Sequence, residues 1–130
     1  MRYLICLVVG VLAGAILAGM YASAMQRRNA WRRALMNVMQ HELGAARTAA
    51  RNGACTTPAQ RRSADQLHFV AGDLDTALPG AGANDRVLRQ YIADFRGAVA
   101  AWDAVAPCPQ QAEALTAIAN ACEACHRDYR

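Results

Sequence analysis

Apolar positions along most of this chain recur at three- and four-residue steps, the spacing of one face of an α-helix, and no two-residue alternation of the kind that marks a strand competes with them. From Arg27 onward four such stretches follow one another. The first is expected over roughly Asn29 to Arg51, with Leu35, Met39, Leu43, Ala46 and Ala50 in phase and Asn52-Gly53 as its stop. The second opens at Thr57-Pro58-Ala59-Gln60, where Thr can cap, Pro suits the first helical position and Gln is placed to complete a capping box. Its stripe is Ala64, Leu67, Ala71, Leu74 and Leu78, with Pro79-Gly80-Ala81-Gly82 as the break. The third begins after Asn84 and places Leu88, Tyr91, Phe95, Trp102 and Val105 on one side, ended by Pro107 and Pro109; the fourth runs from about Gln110 to Tyr129 with Leu115, Ile118, Cys122, Cys125 and Tyr129 in phase. Amphipathic helices with short connections predict an all-α fold, an antiparallel up-down-up-down four-helix bundle over residues 26–130.

Ahead of the bundle stands a different pattern. Tyr3 to Ala24 are 22 residues without a charge, preceded by Arg2, so residues 1–25 are expected to be a signal peptide or a transmembrane anchor. Ala22-Ser23-Ala24 offers small residues where signal peptidase cuts, which favours release before Met25. The length argues for retention, since a helix of 22 residues rises about 33 Å and a hydrocarbon core is about 30 Å thick. Arg27, Arg28, Arg32 and Arg33 follow directly, and positive flanks favour the cytoplasmic side, against the export that the leader otherwise implies. Gly10, Gly14 and Ala18 lie four apart, a spacing that lets two membrane helices approach. Both fates place the remainder in the periplasm, free or held at the inner membrane.

A chain of 130 residues has room for one core, and about 105 residues without the leader bury a modest one, so a bulky apolar cofactor would add materially to stability. The net charge of +4 comes from arginine alone and is spread along the chain, and its aromatics sit at core spacing, so nucleic acid is excluded as a partner.

The chemistry is concentrated at the far end. Cys122-Glu123-Ala124-Cys125-His126 is C-x-x-C-H, the attachment sequence of c-type haem. On a helix the two thiols share a face and can each form a thioether to a haem vinyl group, while His126 follows as the iron ligand. A thioredoxin-like pair would sit beside a βαβ pattern, which is missing here. A zinc site needs four ligands, and adjacent Cys125 and His126 serve one metal poorly; Cys55 and Cys108 could complete a four-cysteine set only from the other end of a bundle. Those two cysteines fall in the connections between helices one and two and between helices three and four, which meet at one end, so they are either a disulfide or two unrelated loop thiols. Cys6 is read as a small hydrophobe of the leader.

The motif near the end of a four-helix pattern, with the ending Arg127-Asp128-Tyr129-Arg130, resembles the cytochrome c′ family. Trp31 to Met39 is similar to that family's first-helix segment, in which an arginine stands four positions before the distal haem residue. The resemblance implies one covalent haem c on Cys122 and Cys125, His126 as iron ligand, Arg32 as propionate partner and Met36 at the distal position. It covers residues 29–130, with motifs only at its two ends, and the membrane-length leader departs from it. A methionine at the distal position is similar to the low-spin, electron-transferring members; an apolar, non-ligating residue there gives a five-coordinate iron that binds nitric oxide or carbon monoxide. Met36 therefore implies an electron carrier serving redox partner proteins and no enzyme. A gas-binding module is the alternative, and a core-filling role for Met36 stands beside ligation. Met39, one turn on, is open to both roles, and a third possibility is a membrane-anchored partner of a larger redox complex. Family relatives also pair as dimers, and a homodimer is among the expectations. His41 and His68 are expected at the surface, Phe95 and Trp102 in the core, and Tyr129 either at the haem edge or ending its helix.

Overall fold

The computed structural model describes residues 2–78 and 85–129. All regular structure among them is helical: α1 (Arg2–Arg51), α2 (Pro58–Gly72), α3 (Leu74–Ala77), α4 (Arg86–Ala100) and α5 (Cys108–Asp128). The expected Pro79–Gly82 break lies outside the described residues. Two compact units divide the chain, Met1–Arg33 and Ala34–Arg130, and α1 contributes to both.

In the first unit the helix begins far ahead of Asn29. Ala22 to Arg27 are strong helix formers apart from Ser23, with no Gly or Pro to interrupt them. Ser23, the residue best suited to a new cap, donates its hydroxyl backward to the carbonyls of Gly19 (2.8 Å) and Met20 (3.0 Å). Leu7, Leu12, Ile16, Leu17 and Met20 are all exposed.

The second unit holds the core. Leu35, Met39 and Ala46 of α1 join Leu67 and Val70 of α2, Leu74 of α3, Leu88, Ile92, Phe95 and Val99 of α4, and Leu115 and Ile118 of α5 in one buried cluster. Leu67, Leu115 and Ile118 are at most 1% exposed, a burial that stabilises by about 1.5–3 kcal/mol for each such side chain. Thr57 caps α2 by accepting from the Gln60 amide at 3.3 Å, with Pro58 at the first helical position. The reciprocal half of the expected capping box does not form, because the Gln60 side chain turns inward. It donates to Gln111 Oε1 at 2.8 Å and to the Ala46 carbonyl at 3.4 Å.

The stripe of the second predicted helix stays buried from Ala64 to Leu74 through a break at Asp73 that separates α2 from α3, and Leu78 at its end is half-buried. Arg96 of α4 replaces the helical donors lost there: Nε donates to the Ala71 carbonyl and Nη2 to that of Gly72, each at 2.8 Å, and Nη1 pairs with Asp75 at 2.7 Å. α4 starts as expected, capped by Asp85, but stops at Ala100, short of Trp102 and Val105. Asp103 accepts from the Val105 amide at 2.9 Å, an Asx turn that competes with the helix. Trp102 is buried beyond the helix end, whereas Val105 is 62% exposed and belongs to no stripe. α5 begins two residues earlier than expected because Pro109 tolerates its first turn.

Gln111 gathers this end of the unit. Its Nε2 donates to the carbonyls of Ala106 (2.7 Å), Cys55 (3.0 Å) and Ala104 (3.2 Å), and its Oε1 accepts from Gln60 and from Trp102 Nε1 (3.3 Å). Cys55 and Cys108 form a disulfide across the same two connections, with Cα atoms 5.4 Å apart. The opposite end of α4 and α5 is joined by two phenol–carboxylate bonds. Tyr91 donates to Asp128 at 2.6 Å, and Tyr129 donates to Asp85 at 2.9 Å, so α4 and α5 run antiparallel.

Candidate functional site

α5 presents Ile118, Ala121, Cys122, Cys125 and His126 to one cavity, spaced by three, one, three and one residues as a single helical face requires. α1 presents Met36, Met39, Gln40 and Leu43 by the same arithmetic. Tyr91, Ile92 and Phe95 of α4 and Leu67, Leu74 and Leu78 from the α2–α3 side complete a cavity of about 290 Å³. Its wall is apolar except for Gln40, Tyr91, His126 and the two thiols.

Cys122 and Cys125 are free and half-buried. Burial, reinforced by the neighbouring Cys125, pushes the Cys122 thiol up to about 11. Burial followed by the Asp128 charge raises Cys125 as well. Both sulfurs are therefore protonated thiols at neutral pH, held on an apolar wall. His126 is exposed at the mouth of the cavity, which places its imidazole beside both the thiols and solvent.

Of the two phenol–carboxylate pairs, the one made by Tyr91 borders this cavity, since Tyr91 lines it. The Tyr91 and Tyr129 rings meet edge to face, centroids 6.1 Å apart. Burial and the hydrogen bond to Asp85 push the Tyr129 hydroxyl up to about 12, and the bond to Asp128 raises Tyr91. The Leu88 amide and the Tyr129 hydroxyl hold the Asp85 carboxyl below its ordinary range.

Of the residues singled out in the sequence, Cys122, Cys125, His126, Met36 and Met39 are brought together on one cavity. Arg32 belongs to the N-terminal unit, where it is half-buried. His41 and His68 are exposed, and Phe95 and Trp102 are buried, as expected. The disulfide takes Cys55 and Cys108 out of any four-cysteine zinc site, and among the described residues no three His, Cys, Asp or Glu side chains are grouped to hold a metal ion. Cys6 is exposed. Gln40 and the two carboxylates that bind the tyrosines were not foreseen: a polar residue inside an apolar stripe reads as solvent-facing, and long-range side-chain bonds leave no periodic signal.

Fold and site together define a helical protein with an apolar cavity carrying a dithiol and an imidazole on one helix and two thioethers on another. Compared with known proteins, the chain matches no family model, no curated protein and no solved structure.

Proposed function

We propose that this protein is a monohaem c-type cytochrome similar to the cytochrome c′ family, an electron carrier built as an up-down-up-down four-helix bundle. The observation that carries the reading is the shared cavity: Cys122, Cys125 and His126 of the C-x-x-C-H motif line it with Met36 and Met39, far apart in sequence. Supporting the bundle are the antiparallel pairing of α4 with α5 and the disulfide that joins the two connections expected at one end.

The residues present fit a haem. Two thiols one helical turn apart can each add across a vinyl group, the sulfur bonding to one carbon and the thiol hydrogen going to the other, with no net oxidation. An apolar wall suits the macrocycle, and an imidazole next to the second thiol can ligate iron. When bound, the group supplies a one-electron iron couple; the chain supplies attachment, axial ligands and exclusion of water. Met39 is committed to the buried core cluster, whereas Met36 only packs against it, which leaves the Met36 sulfur the freer to act as second ligand. The Cys55–Cys108 bridge supports an oxidising, extracytoplasmic compartment, the periplasm, where redox proteins would exchange electrons with it.

The test is an optical spectrum of the matured protein, oxidised and reduced, before and after carbon monoxide. Haem that stays on the chain after denaturation, and a low-spin reduced spectrum that the gas leaves unchanged, are expected. A high-spin spectrum that shifts with the gas would assign Met36 to packing and the protein to gas binding. Chain that matures without covalent haem would overturn the reading altogether.

A further inference from the structure

Among the described residues of the first unit, the apolar side chains of the helix have no partner. Leu7, Leu12, Ile16 and Leu17 are each between 59% and 67% exposed, all around the helix rather than on one side. A helix apolar on every side is at equilibrium only inside an apolar surrounding.

Its dimensions match one such surrounding. Tyr3 and Tyr21 bound the stretch, 92% and 68% exposed, and their separation of 18 positions amounts to about 27 Å of helix rise and five whole turns, so the rings stand on one face at opposite ends. Aromatic side chains at both edges of an apolar span are the interfacial belts of membrane helices, and the hydrocarbon thickness is about 30 Å. Arginine positions lie outside both tyrosines, at 2 and at 27, and no charge lies between. Inside hydrocarbon each polar group needs a partner from the helix itself. Ser23, near the second edge, has one, its hydroxyl bonded to the carbonyls of Gly19 and Met20.

We infer that residues 3–24 are retained as a single-span membrane anchor, with a lipid bilayer as the occupant of the exposed face. The same helix carries the reason for retention. Ala22-Ser23-Ala24, the stretch with the small residues of a cleavage site, is helical, and α1 continues through it without interruption. Proteolysis concentrates where backbone is exposed in loops, and a helix with all its hydrogen bonds made withholds the extended segment a protease must grip. The disulfide-bearing unit lies on the oxidising side. The arginines after the span do not forbid this, because charge bias governs short loops and longer domains translocate largely regardless of it.

The inference is independent of haem and is tested on the full chain expressed with its own leader. Intact mass is measured on the product, and isolated membranes are washed with alkaline carbonate. A mass that includes residues 3–24, together with retention in the washed membranes, is expected. Ala24→Leu, which blocks the small-residue cleavage pattern, is expected to change the mass only by the substitution. Leu12→Arg with Ile16→Arg, two charges at mid-span, is expected to shift at least tenfold more of the chain into the wash. A wild-type product that begins at Met25, or that the carbonate wash releases, would overturn the anchor whatever the spectrum shows.

Discussion

Replacing Cys55 and Cys108 by alanine should cost stability without disturbing the candidate cofactor cavity. The bridge closes a loop with a sequence separation of 53 residues, for which the chain-entropy relation gives a loss of about 14 cal/mol/K in the unfolded ensemble, or about 4 kcal/mol at 25 °C. In a unit of this size that lowers the melting temperature by on the order of 20 °C. The cavity should not share the loss, because Cys122 stands 14 residues along α5 from Cys108, about 21 Å of helix rise. The natural reporter is Trp102, 3% exposed and bonded to Gln111 beside the disulfide, whose emission can be followed through urea unfolding of the full chain. The paired measurement is the optical spectrum of the folded variant with and without carbon monoxide, which should match the parent. A stability loss under about 1 kcal/mol would refute the entropic account of the bridge. A changed spectrum in the folded variant would refute the separation of the two ends.

Gln111→Leu removes the acceptor used by Gln60 and Trp102 and the donor used by three loop carbonyls, and unsatisfied buried groups cost about 1–3 kcal/mol each, so thermal unfolding should show a loss of about 3 kcal/mol or more. The Tyr129 hydroxyl should titrate near 12 by ultraviolet absorbance, and the stability it confers, complete below the free phenol's 10, should fall as pH rises through 12; Tyr129→Phe should lose that alkaline limb. Asp85 has the opposite sign: its lowered carboxyl stabilises above about 4 and the contribution disappears as pH falls through the folded value, so Asp85→Asn should flatten the acid side of a melting-temperature profile. Met36→Ala should let the reduced protein bind carbon monoxide, whereas Met39→Ala, a deletion in the buried core, should cost about 2–5 kcal/mol by urea unfolding and leave gas binding unchanged.

What could be read in the chain was whatever depends on local spacing. The helical stripes, the Thr57 cap and the face shared by Cys122 and Cys125 follow from one helix at a time, and the order of the connections admits the Cys55–Cys108 bridge. Errors arose where tertiary bonds competed with local rules. Gln60 has the position of a capping-box residue, yet its side chain turns to a buried amide partner on α5 instead of back to the Thr57 backbone N–H. Trp102 has the spacing of α4, yet the Asp103 turn ends the helix and the ring reaches the core from outside it. The site shows the same division in a more useful form. Each helix contributes a face whose composition alone is ambiguous, because thiols, thioethers and leucines are all ordinary core residues. The ambiguity narrows when two faces with the same three-one-three spacing, Met36 to Leu43 and Ile118 to Cys125 among them, line the same space. A core built only for stability would close that space, since apolar side chains gain by filling it. The cavity walled by a dithiol, an imidazole and two thioethers is the space that the proposed covalently held apolar group would fill.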